Sequence, residues 1–493
     1  MTRVTSERIL RVQASTGVEA NVARGNDARI DLFTRQPPEC APGRCGRRGP
    51  GLCRHFDDVS TGDTTDPSYP RFGDSRYRVL HYQIGDTILT GSSPRLFGST
   101  TMTCVAARSM TNLFVDFQHT PNVVSINGKA VRFSRTSSVA TTYGDQGGHR
   151  RFTVSGFSPP AGARFTLKVG YNVSADANRT ASLLSAGAYF VVAGEPIAAT
   201  HWFPCNDRLD VKSTYGVSIS TQRANRVMLA RPTSQTFYTS GRTAMTNIRF
   251  AVAEPSATYQ LGLAVGPFSV TSGTWSIGGR DVPYGVAAQP GLTKSTLLDH
   301  TPRALSYFAA RYGSFPFSHA GGVLVKDIGV GAQETVGGPT YDASCNTAAF
   351  VAHENAHMWF GNSVTAASWA DVVLIQEGLA QLLEWDYVQM LRATSGTSAA
   401  MWAPLLTPPT TWRVPTHMKV AKLTYQYAGG LMRELRREMD GSIEQARAPR
   451  FTAFLRTLAT GHAHSSITRA QFKAEAQKAA GKDLSGFLRR YGI

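Results

Sequence analysis

The chain has no long apolar run. Its best candidate, Ala181 to Gly194, is broken by Ser and Gly and falls short of the ~20 residues a helix needs to cross a bilayer, so no membrane partner is expected. Acid is scarce, with 34 Asp and Glu against 51 Lys and Arg, for a net charge of +17. A concentrated basic surface would point to nucleic acid. The bases are dispersed, however, and the densest cluster (Arg44, Arg47, Arg48 and Arg54) sits in the N-terminal region, so the charge reads as a solvated surface with no nucleic-acid partner. Cysteine is sparse as well. Of six, Cys40, Cys45 and Cys53 fall in the segment CAPGRCGRRGPGLCRHF, whose spacing fits no standard zinc site. Cys205 reads as a buried structural thiol. No charged start followed by an apolar core and a small-residue cleavage site is present, which leads us to expect a cytoplasmic protein, or a secreted one if the true N-terminus differs. No internal repeat appears, so a solenoid is not expected.

What remains is the composition of a soluble globular protein, 42% hydrophobic and 17% charged, in 493 residues that can hold two to four domains. Residues 1–60 lack periodicity and read as a poorly ordered extension. From Tyr77 to about Val270 the texture is β. Val123–Ile126, the turn Asn127-Gly128 and Ala130–Phe133 spell a hairpin, and Phe152–Val154, Phe165–Val169 and Tyr215–Ile219 add strands, so a large antiparallel sheet domain is expected over 61–275. Near Pro290 the period changes. Thr293 to Tyr312 is helical, Gly322–Val325 is a strand, and helices follow around Gly429–Met439, Arg450–Thr460 and Arg469–Ala480. The expected class is α+β multidomain, with a mostly helical second domain over 276–445 and a short helical segment over 446–493.

The second domain contains FVAHENAHMWFGNSVTAASWADVVLIQEGLAQLLEWD, from Phe350 to Asp386. His353 and His357 are four apart, so on a helix they share a face and can hold one metal ion, for which zinc suits two neutral imidazoles best. Glu354, next to the first His, can reach a metal-activated water without being a ligand. A catalytic zinc takes three protein ligands, and Glu377 is the candidate third. With 12 His and 34 acids among 493 residues, chance yields about 0.02 patterns of this kind.

Three further runs complete a set: AGEPIAATHWFPCND with Glu195, GVGAQETVGGPTY with Glu334, and TYQYAGGLMRELRREMDG with Tyr425 and Tyr427. Together with HENAHMWFGNSVT and QEGLA they resemble the aminopeptidase N family of zinc metallopeptidases, gluzincins with a thermolysin-like catalytic domain behind a saddle-like β domain. The resemblance runs from about Asp66 to the C-terminus. It implies one zinc per chain on His353, His357 and Glu377, with Glu354 as general base. It also implies that Glu195 and Glu334 anchor the substrate's α-ammonium, and that a tyrosine donates to the oxyanion. The family's Y-x-K-G pattern fits Tyr427-Ala428-Gly429-Gly430 and not Tyr425, so Tyr427 is the expected donor, with Gly429 where the family has Lys. The expected partners are peptides with a free N-terminus, acted on by a monomer. The resemblance also implies a short form without the long C-terminal helical domain. Two alternatives stay open, a non-catalytic scaffold on the same fold and an epoxide hydrolase activity as in one branch of the family.

One departure bears on the metal. Met358 to Gln376 is nineteen residues, one more than the family places between the second His and the Glu. On a helix one residue is about 100° of rotation, enough to aim a carboxylate away from the ion. The extra residue is expected between Val372 and Gln376, taken up by a looser turn or a π-bulge. Otherwise zinc binding weakens, with Glu384, seven residues on, as the weaker substitute.

Overall fold

The alternation of aromatic and β-branched residues from Tyr77 onward builds a sheet of eight strands. The structure, a computed structural model, describes residues 66, 68–69, 72–135, 150–174, 183–395, 405–409, 411–415 and 422–493. The expected extension over 1–60, with Cys40, Cys45 and Cys53, lies outside the described residues. The sheet runs in the order Pro232–Ser240, Thr243–Ser256, Ser213–Gln222, Tyr77–Leu89, Arg95–Ala106, Arg164–Ser174, Val123–Ile126, Lys129–Ala130. It is not wholly antiparallel as expected. Tyr77–Leu89 and Ser213–Gln222 pair in parallel, His81 facing Thr214. A long crossover carrying several other strands separates these two, and such a connection can return the chain in either direction, whereas a tight hairpin cannot. The predicted Asn127-Gly128 turn is present, with φ of 49° and 77°, the left-handed values a two-residue hairpin of this kind requires.

A four-stranded sheet that includes Tyr189–Val192 delivers the chain to Glu195, and a five-stranded sheet follows. The latter takes in Ser269–Ile277, Arg280–Ala288, Ala320–Val325, Thr340–Asp342 and Ala332–Gln333. The expected border at 275/276 therefore cuts through a hairpin, because Ser269–Ile277 pairs with Arg280–Ala288 along its whole length. The β texture is read only as far as about Val270, and local alternation carries no sign of which sheet a strand joins.

Beyond Pro290 the α-helices among the described residues are Ser295–Tyr312, Ala348–Ala356, Gly378–Ser395, Lys422–Asp440, Pro449–Gly461, Arg469–Ala480 and Ser485–Arg490. Arg436 is fully buried and gives two hydrogen bonds to the Asp386 carboxylate, one at 2.9 Å, fastening Lys422–Asp440 to Gly378–Ser395. The segment over 446–493 is not a separate appendage. Its strand Ser465–Ile467 pairs with Val364–Ala366, just beyond the His353 helix. One continuous apolar core runs through strands and helices alike. Among the described residues no helix is long and apolar enough to cross a membrane.

Candidate metal centre and amine pocket

Ala348–Ala356 is buried on nearly every side, and its start is capped by the Thr347 hydroxyl, which accepts from the Phe350 N–H at 3.3 Å. His353 leaves its last turn and His357 the turn that closes it. Each imidazole has its Nδ1 side occupied: His353 by a Glu384 carboxylate oxygen at 3.1 Å, His357 by the Phe360 carbonyl at 3.0 Å. Both rings therefore present Nε2 to the same point.

Glu377 meets them there. Its Oε2 lies 3.4 Å from His353 Nε2 and 3.6 Å from His357 Nε2. Val373–Glu377 is a π-helical turn, so the additional residue is absorbed in the stretch where it was expected and the carboxylate keeps its aim. The set fits zinc. Donors ~2.0–2.2 Å from one tetrahedral ion stand about 3.3–3.5 Å apart, close to the separations seen here. Glu384 is not a substitute ligand. Its Oε2 also accepts from Gln381 Nε2 at 2.7 Å, which fixes it as the group that orients His353.

Glu354 belongs to a second group, with Glu334 and His357, whose donor atoms all lie within 4.8 Å of one another. Burial pushes its pKa to about 8; His353 and His357 pull against this, and Glu334 and Glu377 add to it. In the metal-free protein the imidazoles carry the compensating charge. Burial would lower His357, but Glu377 and Glu334 override it and hold it at about 9. His353 is likewise raised well above its usual value by Glu377 and Glu384 against burial. Burial alone would raise Glu377, yet His357 and His353 bring it down to about 2.

Glu334 sits in a loop set by glycine. At Gly337 φ is 89°, and a Cβ there would stand 1.9 Å from the Leu229 carbonyl oxygen, so the chain can turn this tightly only without a side chain. Asn362 Nδ2 donates to the Glu334 carbonyl at 2.6 Å, and Lys212, from the β region, donates to the Asn362 and Ser363 carbonyls at 2.7 and 2.8 Å. Glu334 Oε1 accepts from the Tyr259 hydroxyl at 3.1 Å, itself held by Gln376 Nε2 at 2.9 Å from the π turn. Glu195 arrives from the β region, and its Oε2 accepts from Gln333 Nε2 at 3.0 Å. Desolvation raises its pKa well above the carboxylate range, with Glu334 and Glu377 adding to the effect.

The structure sets the two candidate tyrosines apart. Tyr427 packs on Trp412, ring centroids 5.7 Å apart, whereas Tyr425 stands against His353 at 6.1 Å. Two positions on a helix are about 200° apart, so only one of the pair can face the centre. Desolvation and then Glu377, Glu195, Glu354 and Glu334 hold the Tyr425 hydroxyl well above its usual pKa, so it stays a neutral donor. The signal that separates the two tyrosines is their packing. It lay in the fold and not in the helix pattern, since buried Ala428, Met432 and Arg436 stand at helical spacing from Tyr425, and buried Leu431 and Leu435 at helical spacing from Tyr427. Gly429 has no room for the family's Lys, since even a Cβ would meet Gln381 Cγ and Leu405 Cδ2 at 2.7 Å.

Parts of this chain resemble known proteins. Residues 297–418 match the family model described as the Peptidase family M1 domain. Aminopeptidase A of Gloydius brevicauda is 30% identical over 208 residues, covering 39% of this chain and 21% of that protein. Aminopeptidase N of Streptomyces lividans is 25% identical over 205 residues, 38% of this chain and 23% of that protein. The chain thus spans about a fifth of the length of the curated relatives it matches. Among solved structures, an M1 zinc metallopeptidase from Deinococcus radiodurans superposes with a TM-score of 0.69 at 22% identity, over 87% of this chain and 96% of that one. A mutant of it bound to a Tyr-Ser-Ala substrate gives 0.70 at 21% identity, over 86% and 96%. The likeness establishes the α+β fold, a β-rich region followed by a helical one.

Proposed function

We propose that this chain, which carries a peptidase family M1 domain, is a zinc-dependent aminopeptidase that removes N-terminal residues from peptides. One observation carries the proposal: two carboxylates from separate parts of the fold, Glu195 and Glu334, open beside Glu354 and the His353–His357–Glu377 triad. A neutral peptide bond gives no reason to gather two further acids beside a metal centre. A charged amine does.

His353, His357 and Glu377 would hold zinc, which would supply Lewis acidity and a water of lowered pKa. Glu354 takes the proton released as water attacks the scissile carbonyl and returns it to the departing amine. The Tyr425 phenol donates to the oxygen on which negative charge develops. Glu195 and Glu334 hold the ammonium end, so only the first peptide bond reaches the metal. An acetylated N-terminus would leave both acids unpaired in a desolvated pocket, a cost on the order of 3–5 kcal/mol. The non-catalytic alternative calls for a dispersed ligand set, and the three donors here converge.

The test is a panel of aminoacyl amides, each with a free and an acetylated amine, assayed with and without a chelator. Chelator-sensitive cleavage confined to the free-amine forms is expected. Equal cleavage of the acetylated forms, or turnover indifferent to the chelator, would remove this function.

A further inference from the structure

Gln333 lies immediately before Glu334 and is 1% exposed. Its Nε2 is 3.0 Å from Glu195 Oε2 and 2.8 Å from Glu334 Oε2, so the two protons of one amide nitrogen serve two carboxylates. Its Oε1 accepts from the Glu195 backbone N–H at 3.3 Å. A flipped amide would set an oxygen against both acids, so the acceptors fix its orientation. A side chain that merely filled space would not have every donor and acceptor taken up by the same pair of residues.

Counting oxygens shows the consequence. Glu334 Oε1 accepts from Tyr259, Glu334 Oε2 and Glu195 Oε2 accept from Gln333, and Glu195 Oε1 is buried with no hydrogen-bond partner. Three of the four carboxylate oxygens are thus held by the protein, and one remains open. A buried carboxylate oxygen left without a donor is costly unless a ligand supplies one.

We propose that Gln333 is the positioning residue of the amine pocket, a neutral bridge that locks Glu195 and Glu334 so that Glu195 Oε1 receives the first N–H of the substrate's ammonium. This rests on the aminopeptidase reading and deepens it. Gln333 touches neither the reacting carbonyl nor the metal ligands. It sets the affinity for the free amine and leaves the chemical step alone. The bridge also keeps the two acids apart without contributing charge, so the pocket favours a cation over a neutral amide.

The test uses zinc-loaded Glu354→Gln protein, which can bind without turning over, titrated calorimetrically with L-phenylalaninamide and with its N-acetyl derivative. The parent should prefer the free amine by at least ~10-fold. Adding Gln333→Met, which keeps the chain length and removes the donors, should weaken the free amine by at least ~10-fold and leave the acetylated form unchanged. Zinc content should stay at one per chain. Gln333→Leu repeats the comparison if the Met variant folds poorly. In otherwise wild-type enzyme, Gln333→Met should raise KM with kcat nearly constant. A parent that binds both forms alike overturns the aminopeptidase reading and this inference together. A parent that discriminates, with a Gln333→Met variant that discriminates equally, overturns this inference alone, as does a loss of kcat at constant KM.

Discussion

Replacing Tyr425 by Phe removes one hydroxyl and nothing else. The ring that leans on His353 at 6.1 Å stays, and Tyr425 is not among the zinc ligands, so metal content should not change. The hydroxyl sits in a desolvated region ringed by Glu377, Glu195, Glu354 and Glu334, which hold it protonated. A donor kept neutral there serves the developing oxyanion far more than the uncharged carbonyl of the ground state. Removing one such donor typically lowers kcat by 10²–10³, about 3–4 kcal/mol of transition-state stabilisation, with little change in KM. Tyr427→Phe is the matched control. Its ring lies against Trp412 on the far side of the helix and keeps that contact, so its kcat should equal wild type. The assay is steady-state hydrolysis of a free-amine aminoacyl amide by both variants at equal zinc content. A larger loss in Tyr427→Phe, or equal losses in the two, would refute the assignment.

Two further outcomes are expected. Arg436→Ala leaves the buried Asp386 carboxyl without its partner, so denaturant unfolding should show a loss of about 3–5 kcal/mol, and joint replacement of both residues by apolar ones should restore much of it. In the metal-free protein His357 keeps its proton up to about pH 9 and His353 is also raised. Zinc must expel those protons, so its apparent affinity should rise from pH 7 toward 9 by about tenfold per unit for each proton displaced. Competition against a chelator across that range measures the slope, and a flat profile would contradict the protonation states.

Local patterns were legible in the sequence, and partners across the fold were not. The four-residue spacing of His353 and His357 and the left-handed Asn127-Gly128 turn depend on neighbouring residues alone, and both are where the pattern puts them. Even the surplus residue before Glu377 was readable, because a helix tolerates one more residue only by widening a turn, as Val373–Glu377 does. The parallel pairing of Tyr77–Leu89 with Ser213–Gln222 depends on where a long connection re-enters, which alternation does not encode. The short motif favours Tyr427, and neither it nor the burial pattern of the helix says which tyrosine meets His353, because that depends on how the helix packs. Gln333 goes unassigned and Glu384 reads only as a substitute ligand, because an amide or an acid acquires a role only once its partner is known, 138 and 31 residues away in sequence.

The convergence of His353, His357 and Glu377 on one cation can be measured without any substrate. X-ray absorption at the zinc edge of the metal-loaded protein should show one zinc per chain, in a shell of nitrogen and oxygen at ~2.0–2.1 Å that includes two imidazoles. A sulfur neighbour at ~2.3 Å, a shell with a single imidazole, or a protein that takes up no zinc would contradict it.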